Sequence, residues 1–215
     1  MASPEDSKDK LDFTGERFVP GLGGGIEAEH VHRYAAVTEL VRGKHVLDIA
    51  CGEGYGSYLL AAAAASVSGV DIDTDSVEHA RRQYQRDNLQ YMAGSCQKIP
   101  IADASVEVVS SFETIEHIAE QEEFLSEIKR VLQPGGFAII STPDKRVYSD
   151  EANYKNAYHV KEFYESEYLT FLQRRFSNVS FLKQQFIAAS LIVGGECNSS
   201  QSTTIFEEAG QKVII

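Results

Sequence analysis

Short, nearly continuous apolar runs recur through the middle of the chain, at His45–Ala50, Ser68–Ile72, Gln90–Ala93, Val106–Phe112 and Phe137–Ser141. Their length and their content of apolar and β-branched residues predict strands. Between them, helical spacing predicts helices at Tyr55–Ala65, Asp75–Asp87 and Gln121–Leu132, the last stopped by Pro134-Gly135-Gly136. The Ala61–Ala65 run reads as the body of the first of these, packing closely on the sheet. One more helical pattern, Glu29–Val41, precedes the first strand. Strands and helices alternating at this spacing predict a parallel sheet covered on both faces. After Pro143 the pattern changes to a polar, tyrosine-rich loop (144–159), a helix at Lys161–Phe176, and the β-like stretches SNVSFLKQQF and KVII. Those stretches are expected to add antiparallel strands at one sheet edge. Residues 1–28 read as a flexible segment suited to act as a lid, with its hinge at Gly23–Gly25, and residues 29–215 as one domain.

Composition narrows the classes without changing that picture. A chain of 215 residues with 43% hydrophobic content buries one substantial core. Its formal charge of -12, with no basic run, repels phosphate backbones and anionic membranes, so neither nucleic acid nor membrane is an expected partner. Cys51, Cys96 and Cys197 are an odd number at no metal-ligand spacing, which fits a reducing cytoplasm. The acidic opening lacks the basic-then-apolar order of a signal peptide, and no later stretch reaches the length of a membrane span. A soluble cytoplasmic protein is expected, with a small-molecule partner and room for a homodimer.

The first strand-to-helix turn carries Gly52, Gly54 and Gly56. In open α/β sheets ligands sit beyond the carboxyl ends of the strands, and glycines here let the backbone turn sharply and approach a ligand. The spacing departs from the Gly-x-Gly-x-x-Gly dinucleotide pattern. Two acids add to it. Asp71 ends the second strand twenty-three residues after Asp48, near the spacing of about 20 expected of an acid that holds ribose hydroxyls. A helix N-cap is the plainer role for such an acid, but Asp73 and Asp75 are better placed for it. Asp48, just ahead of the turn, is an anion that disfavours a pyrophosphate and suits a cationic ligand. A nucleoside with a positive charge is the ligand these residues favour.

In this order and spacing, VLDIACGEG, GVDID, VVSSFETIEHI and RVLQPGGFAIISTP resemble the successive motifs of class I S-adenosylmethionine-dependent methyltransferases, from about Val46 to Pro143. The resemblance implies a Rossmann-like α/β fold with a seven-stranded, mostly parallel sheet and an antiparallel edge strand. It implies S-adenosylmethionine as cofactor, with Asp48 and the Gly52–Gly54 backbone around its methionine part, Asp71 on the ribose and Ile72 against the adenine. Phe112 and Glu113 are expected at its amino-acid end, and Arg17 or Tyr34 at its carboxylate. Two departures stand out: Ala50 replaces the first glycine of the family's motif, and Gly94-Ser95-Cys96 replaces an acidic adenine contact, leaving Ser95 and Cys96 to serve through backbone or hydroxyl. GERFVPG, EHVHRY, FETIEH and the histidine of YHVKEF resemble a narrower bacterial subgroup often encoded beside glycosyltransferases, which implies a sugar hydroxyl as acceptor.

Methyl transfer to a hydroxyl needs alignment, exclusion of water and removal of a proton. His117, after the fourth strand, and His159, in the loop beyond the fifth, are the candidate bases; each has a plainer reading, His117 as a loop-shaping side chain and His159 as a helix cap. Glu116, Tyr148, Tyr154 and Tyr158 are the candidate acceptor contacts. Glu113, Glu116 and Asp144 at strand ends could hold magnesium, but acids there are common without metal, and none is assigned. His30, His32, His45 and His79 read as surface or packing residues, and Cys51 as an unactivated thiol. Alternatives are an N-methyltransferase, a non-catalytic cofactor-binding protein and a nicotinamide-dependent oxidoreductase.

Overall fold

In a computed structural model, residues 19–21 and 24–187 are described throughout, and 206–208 and 211–213 as strand backbone. The first helix, α1, spans Gly24–Val37, so it begins and ends earlier than its apolar pattern suggests. Then follow β1 (His45–Ile49), α2 (Tyr55–Leu60), β2 (Ser66–Asp71), α3 (Thr74–Gln83), β3 (Leu89–Ala93), β4 (Val106–Phe112), α4 (Gln121–Val131), β5 (Leu132–Ser141) and α5 (Glu165–Gln173). The five strands form one parallel sheet in the order β3-β2-β1-β4-β5. The order reverses between β2–β1 and β4, and open α/β sheets bind their ligands at such a switch point.

Alternation along β1 assigns the two faces. Val46, with Val67 and Val108, packs against Tyr34 and Val37 of α1 and Leu60 of α2. Leu47 and Ile49, with Val70 and Val109, pack against Phe124, Leu125, Ile128 and Val131 of α4 and Phe171 and Leu172 of α5. Those four α4 residues form the buried stripe of an amphipathic helix, with Glu122 and Glu123 in its first turn and Lys129 and Arg130 in its last, each sign matched to the helix dipole. Asp73 caps α3 by accepting the Asp75 N–H, so Asp71 is relieved of that task.

Three expectations are corrected. The alanine run is not helix body: α2 stops at Leu60, and Ala61–Ala65 turns back to the sheet. The Asn88 amide donates to the carbonyls of Ala61 and Ala64, and the Ala65 N–H donates to Lys44 O. These bonds satisfy the groups that a longer helix would have used. Ser177–Phe186 forms no strand. The sheet's described strands are therefore five and all parallel, without the antiparallel edge that would bring it to seven. The chain divides into a unit ending at Lys183 and a second from Gln184. Within the second, β6 (Phe206–Glu208) and β7 (Gln211–Val213) pair antiparallel with one another. Among the described residues no helix is long and apolar enough to cross a membrane.

Candidate active site

The cleft floor is the turn from β1 into α2. Ala50, Gly52 and Gly54 all have positive φ, at 60°, 56° and 99°. Glycine meets that requirement freely, whereas Ala50 holds it at some steric cost. A Cβ on Gly54 would strike Ala80 and Tyr91, and one on Gly56 would overlap the Tyr34 ring. The glycines thus serve close packing from below as well as the turn itself. Glu53, buried between two of them, pairs with His79 Nε2 at 3.2 Å and accepts from Tyr84 OH at 2.7 Å. It fastens the turn to α3, and nothing in the local sequence pattern indicated it.

Asp48 lies beneath the turn and is 0% exposed. Ser57 and Ser110 each donate a hydroxyl to it at 2.7 Å, and Tyr34 OH lies 3.4 Å from both its oxygens. Burial pushes its carboxyl up to about 6 against the opposing pull of those hydroxyls. Its position is below the loop rather than at the mouth, so its charge reaches a ligand as a field. Asp71 accepts the Gly52 N–H at 2.7 Å and the Asp73 N–H at 2.9 Å, which ties the glycine turn to the end of β2. Beside it, Ile72 is 74% exposed, an apolar surface at the position expected for a base. Ser95 shapes the next turn by accepting the Gln97 N–H. Cys96 packs on the core, and burial pushes its thiol up to about 12.

At the other end of the cleft, Phe112 meets Tyr34 edge-on at 4.8 Å. Glu113 follows with φ 51° and accepts from Ser141 Oγ at 2.7 Å. Its other oxygen lies 3.4 Å from Arg33 Nη2, while Arg33 Nη1 is buried without a hydrogen-bond partner. An orphaned guanidinium nitrogen beside a carboxylate suits the two charged ends of an amino acid, which makes Arg33 a candidate contact; in the sequence it looks like ordinary helix surface and nothing singles it out. Arg17 lies outside the described residues, as does Gly23 of the expected hinge.

The two candidate bases come together. A 3-10 turn, Ile115–His117, follows β4, and the Glu116 carbonyl accepts the N–H groups of Val160 and Lys161 at 2.8 and 3.1 Å. Those bonds hold the 144–159 loop against the turn. The rings of His117 and His159 then meet edge-to-face at 4.8 Å, and Tyr148 stacks on His159 at 5.1 Å. His117 Nδ1 donates to the Tyr158 carbonyl at 3.1 Å and His159 Nδ1 to Glu162 at 2.5 Å. Both partners are acceptors, so in the neutral rings Nε2 carries the lone pair. Tyr154 packs on Tyr148, while Tyr158 contributes its carbonyl. Glu116 is 1% exposed and accepts from Thr142 Oγ1 at 3.0 Å. Burial, together with the charge of Glu113, holds its carboxyl well above the ordinary range. Glu162 was not singled out from sequence.

A glycine-turn cleft at the switch point of a parallel sheet, with an acid at the end of β2, defines a Rossmann-like nucleoside-binding enzyme. Residues 47–140 match the family model described as a methyltransferase domain. Over its whole length the chain is 33% identical to a protein named as a probable S-adenosylmethionine-dependent methyltransferase of Mycolicibacterium smegmatis, covering 83% of it. It belongs to the S-adenosylmethionine-dependent methyltransferases of class I, and its cofactor is S-adenosylmethionine. A fatty-acid O-methyltransferase from M. smegmatis is 31% identical over 53% of this chain and 44% of its own. Among solved structures, the Haloferax volcanii methyltransferase in complex with its Trm112 activator superimposes with a TM-score of 0.62 at 25% identity, over 70% of each chain.

Proposed function

We propose that the chain methylates a hydroxyl of a sugar or other small-molecule acceptor, with His159 as the base. The observation that carries this is the His159–Glu162 pair. Glu162 takes the Nδ1 hydrogen and so orients the ring and steadies the imidazolium that forms when Nε2 accepts a proton. In this reading His117 and Tyr148 flank the acceptor oxygen. Arg33 and Glu113 hold the charged ends of the cofactor's methionine part, Asp71 its ribose and Ile72 its adenine. When bound, S-adenosylmethionine supplies a methyl carbon whose bond to sulfur breaks with the electron pair returning to sulfur. His159 takes the hydroxyl proton and the acceptor oxygen keeps the new bond. Buried Asp48 supplies a negative field beneath the glycine turn, suited to a cationic cofactor.

A second reading has support of its own. Val147, Tyr154, Tyr158 and Val160, in or next to the loop that carries His159, are exposed, and the M. smegmatis relative is named for fatty acids. A lipid-like acceptor is therefore screened beside glycosides and nucleotide sugars, with product gain of one methylene mass as the readout. His159→Ala is expected to lower kcat by about 10²–10⁴-fold with S-adenosylhomocysteine binding retained, and Glu162→Gln to lower it less. Full turnover in both variants would remove the histidine base.

A further inference from the structure

We propose that Glu116, His117 and His159 bind one first-row divalent transition-metal ion of the zinc or cobalt kind. One donor atom from each lies within 4.8 Å of the other two, and Glu116 Oε1 is 3.9 Å from His117 Nε2. Tetrahedral bonds of about 2.0–2.1 Å set donors about 3.4 Å apart, so loading asks each side chain to move by about 1 Å.

Three further features make this more than proximity. First, both imidazoles have the outer partner typical of metal-bound histidine: Nδ1 donates to a carbonyl in His117 and to a carboxylate in His159, making Nε2 the lone-pair atom of each ring. Second, the two halves of the site come from different strand ends and are pinned by the Val160 and Lys161 bonds to Glu116 O, so the cluster is built by the fold. Third, the carboxyl of the set is nearly inaccessible to water, and its ionised form, which burial disfavours on its own, is favoured once an adjoining cation displaces the proton. Two imidazoles and one carboxylate suit zinc, cobalt or iron rather than magnesium or calcium, whose sites are oxygen-rich. The magnesium set considered from sequence is not assembled: Asp144 turns to Arg146, and Glu113 to Arg33 and Ser141.

Three protein ligands leave a coordination position open. An acceptor hydroxyl bound there sheds its proton more readily, so the ion assumes the activating work assigned to imidazole above. The inference rests on that reading for what enters the open position, but the metal site itself is tested without turnover. Untagged, chelator-treated full-length chain is titrated with cobalt(II) alone while visible absorption is recorded. A low-coordinate cobalt band saturating at one equivalent is expected. His117→Ala and His159→Ala are each expected to weaken it by tenfold or more, and Glu162→Gln, an outer partner, by about 10–100-fold. S-adenosylhomocysteine binding on the same samples reports the fold, with His→Gln variants substituted where an alanine variant loses it. Absence of the band in the parent chain, or an equal band in the double alanine variant, overturns the metal site. Methylation that persists under chelation would likewise sink the ion while leaving the methyltransferase reading standing.

Discussion

At the scale of single residues, Asp48 shows function held against stability. A carboxylate at 0% exposure with a pKa near 6 in place of 3.8 binds its proton more tightly in the native state than in the unfolded chain. Between those two values the native state keeps a proton that the unfolded state has released, so stability falls as pH rises through the window. The gap corresponds to about 3 kcal/mol. Asp48→Asn removes this titration. Its altered bonds to Ser57, Ser110 and Tyr34 add a term that hardly varies with pH. The variant's stability relative to the parent is therefore expected to rise by about 2.5 kcal/mol between pH 4 and pH 7, a relative change in Tm of about 5–10 °C. A difference that stays flat with pH would show that Asp48 titrates normally. The acid itself was legible, because it ends an apolar strand before a glycine turn. The hydroxyls that surround it were not, since Ser57 and Ser110 sit in unrelated segments with no pattern to connect them.

Among elements, the contact of α1 with α2 is decided by Gly56 and Tyr34. In an exposed helix, replacing glycine with alanine gains about 1 kcal/mol. Here a Cβ would overlap the Tyr34 ring, which is wedged between Tyr55 and Phe112 and reaches Asp48. The sign is expected to reverse: Gly56→Ala loses about 1–3 kcal/mol in chemical denaturation, with weakened S-adenosylhomocysteine binding because α1 also carries Arg33. A stabilised variant would mean that α1 shifts freely. The elements themselves were largely legible, because short apolar strands, of five to ten residues here, and the α4 stripe are local patterns. The pairing of His117 with His159 was not. Each histidine stood out alone, but their meeting depends on two backbone bonds to Glu116 O between segments more than forty residues apart. The end of α2 was misjudged for a related reason: alanine favours helix everywhere, and Asn88, from a distant turn, ends it.

For the whole molecule, the glycine turn after β1, Glu113 with its Arg33 partner after β4, and the paired histidines all lie at the carboxyl ends of one parallel sheet's strands. The parallel sheet and the glycine turn were readable because their requirements are local. The two further strands expected were not found in the described sheet, because β-like composition after α5 says nothing about where a segment pairs. The nicotinamide alternative fails on the same cleft, since Asp48 beneath the turn disfavours a pyrophosphate where dinucleotides place theirs. Ligand-linked stability tests this for the entire fold. A ligand at about 100 times its Kd adds about 2.7 kcal/mol, which raises Tm by about 5–10 °C for a chain of this size. S-adenosylmethionine and S-adenosylhomocysteine are each expected to give that shift and NAD none. Arg33→Met should cut the sulfur nucleosides' shift, because it removes the guanidinium that would meet the cofactor's carboxylate. An undiminished shift in that variant would move the amino-acid end of the cofactor away from α1, and a shift with NAD would mean that the field of Asp48 does not govern what the turn accepts.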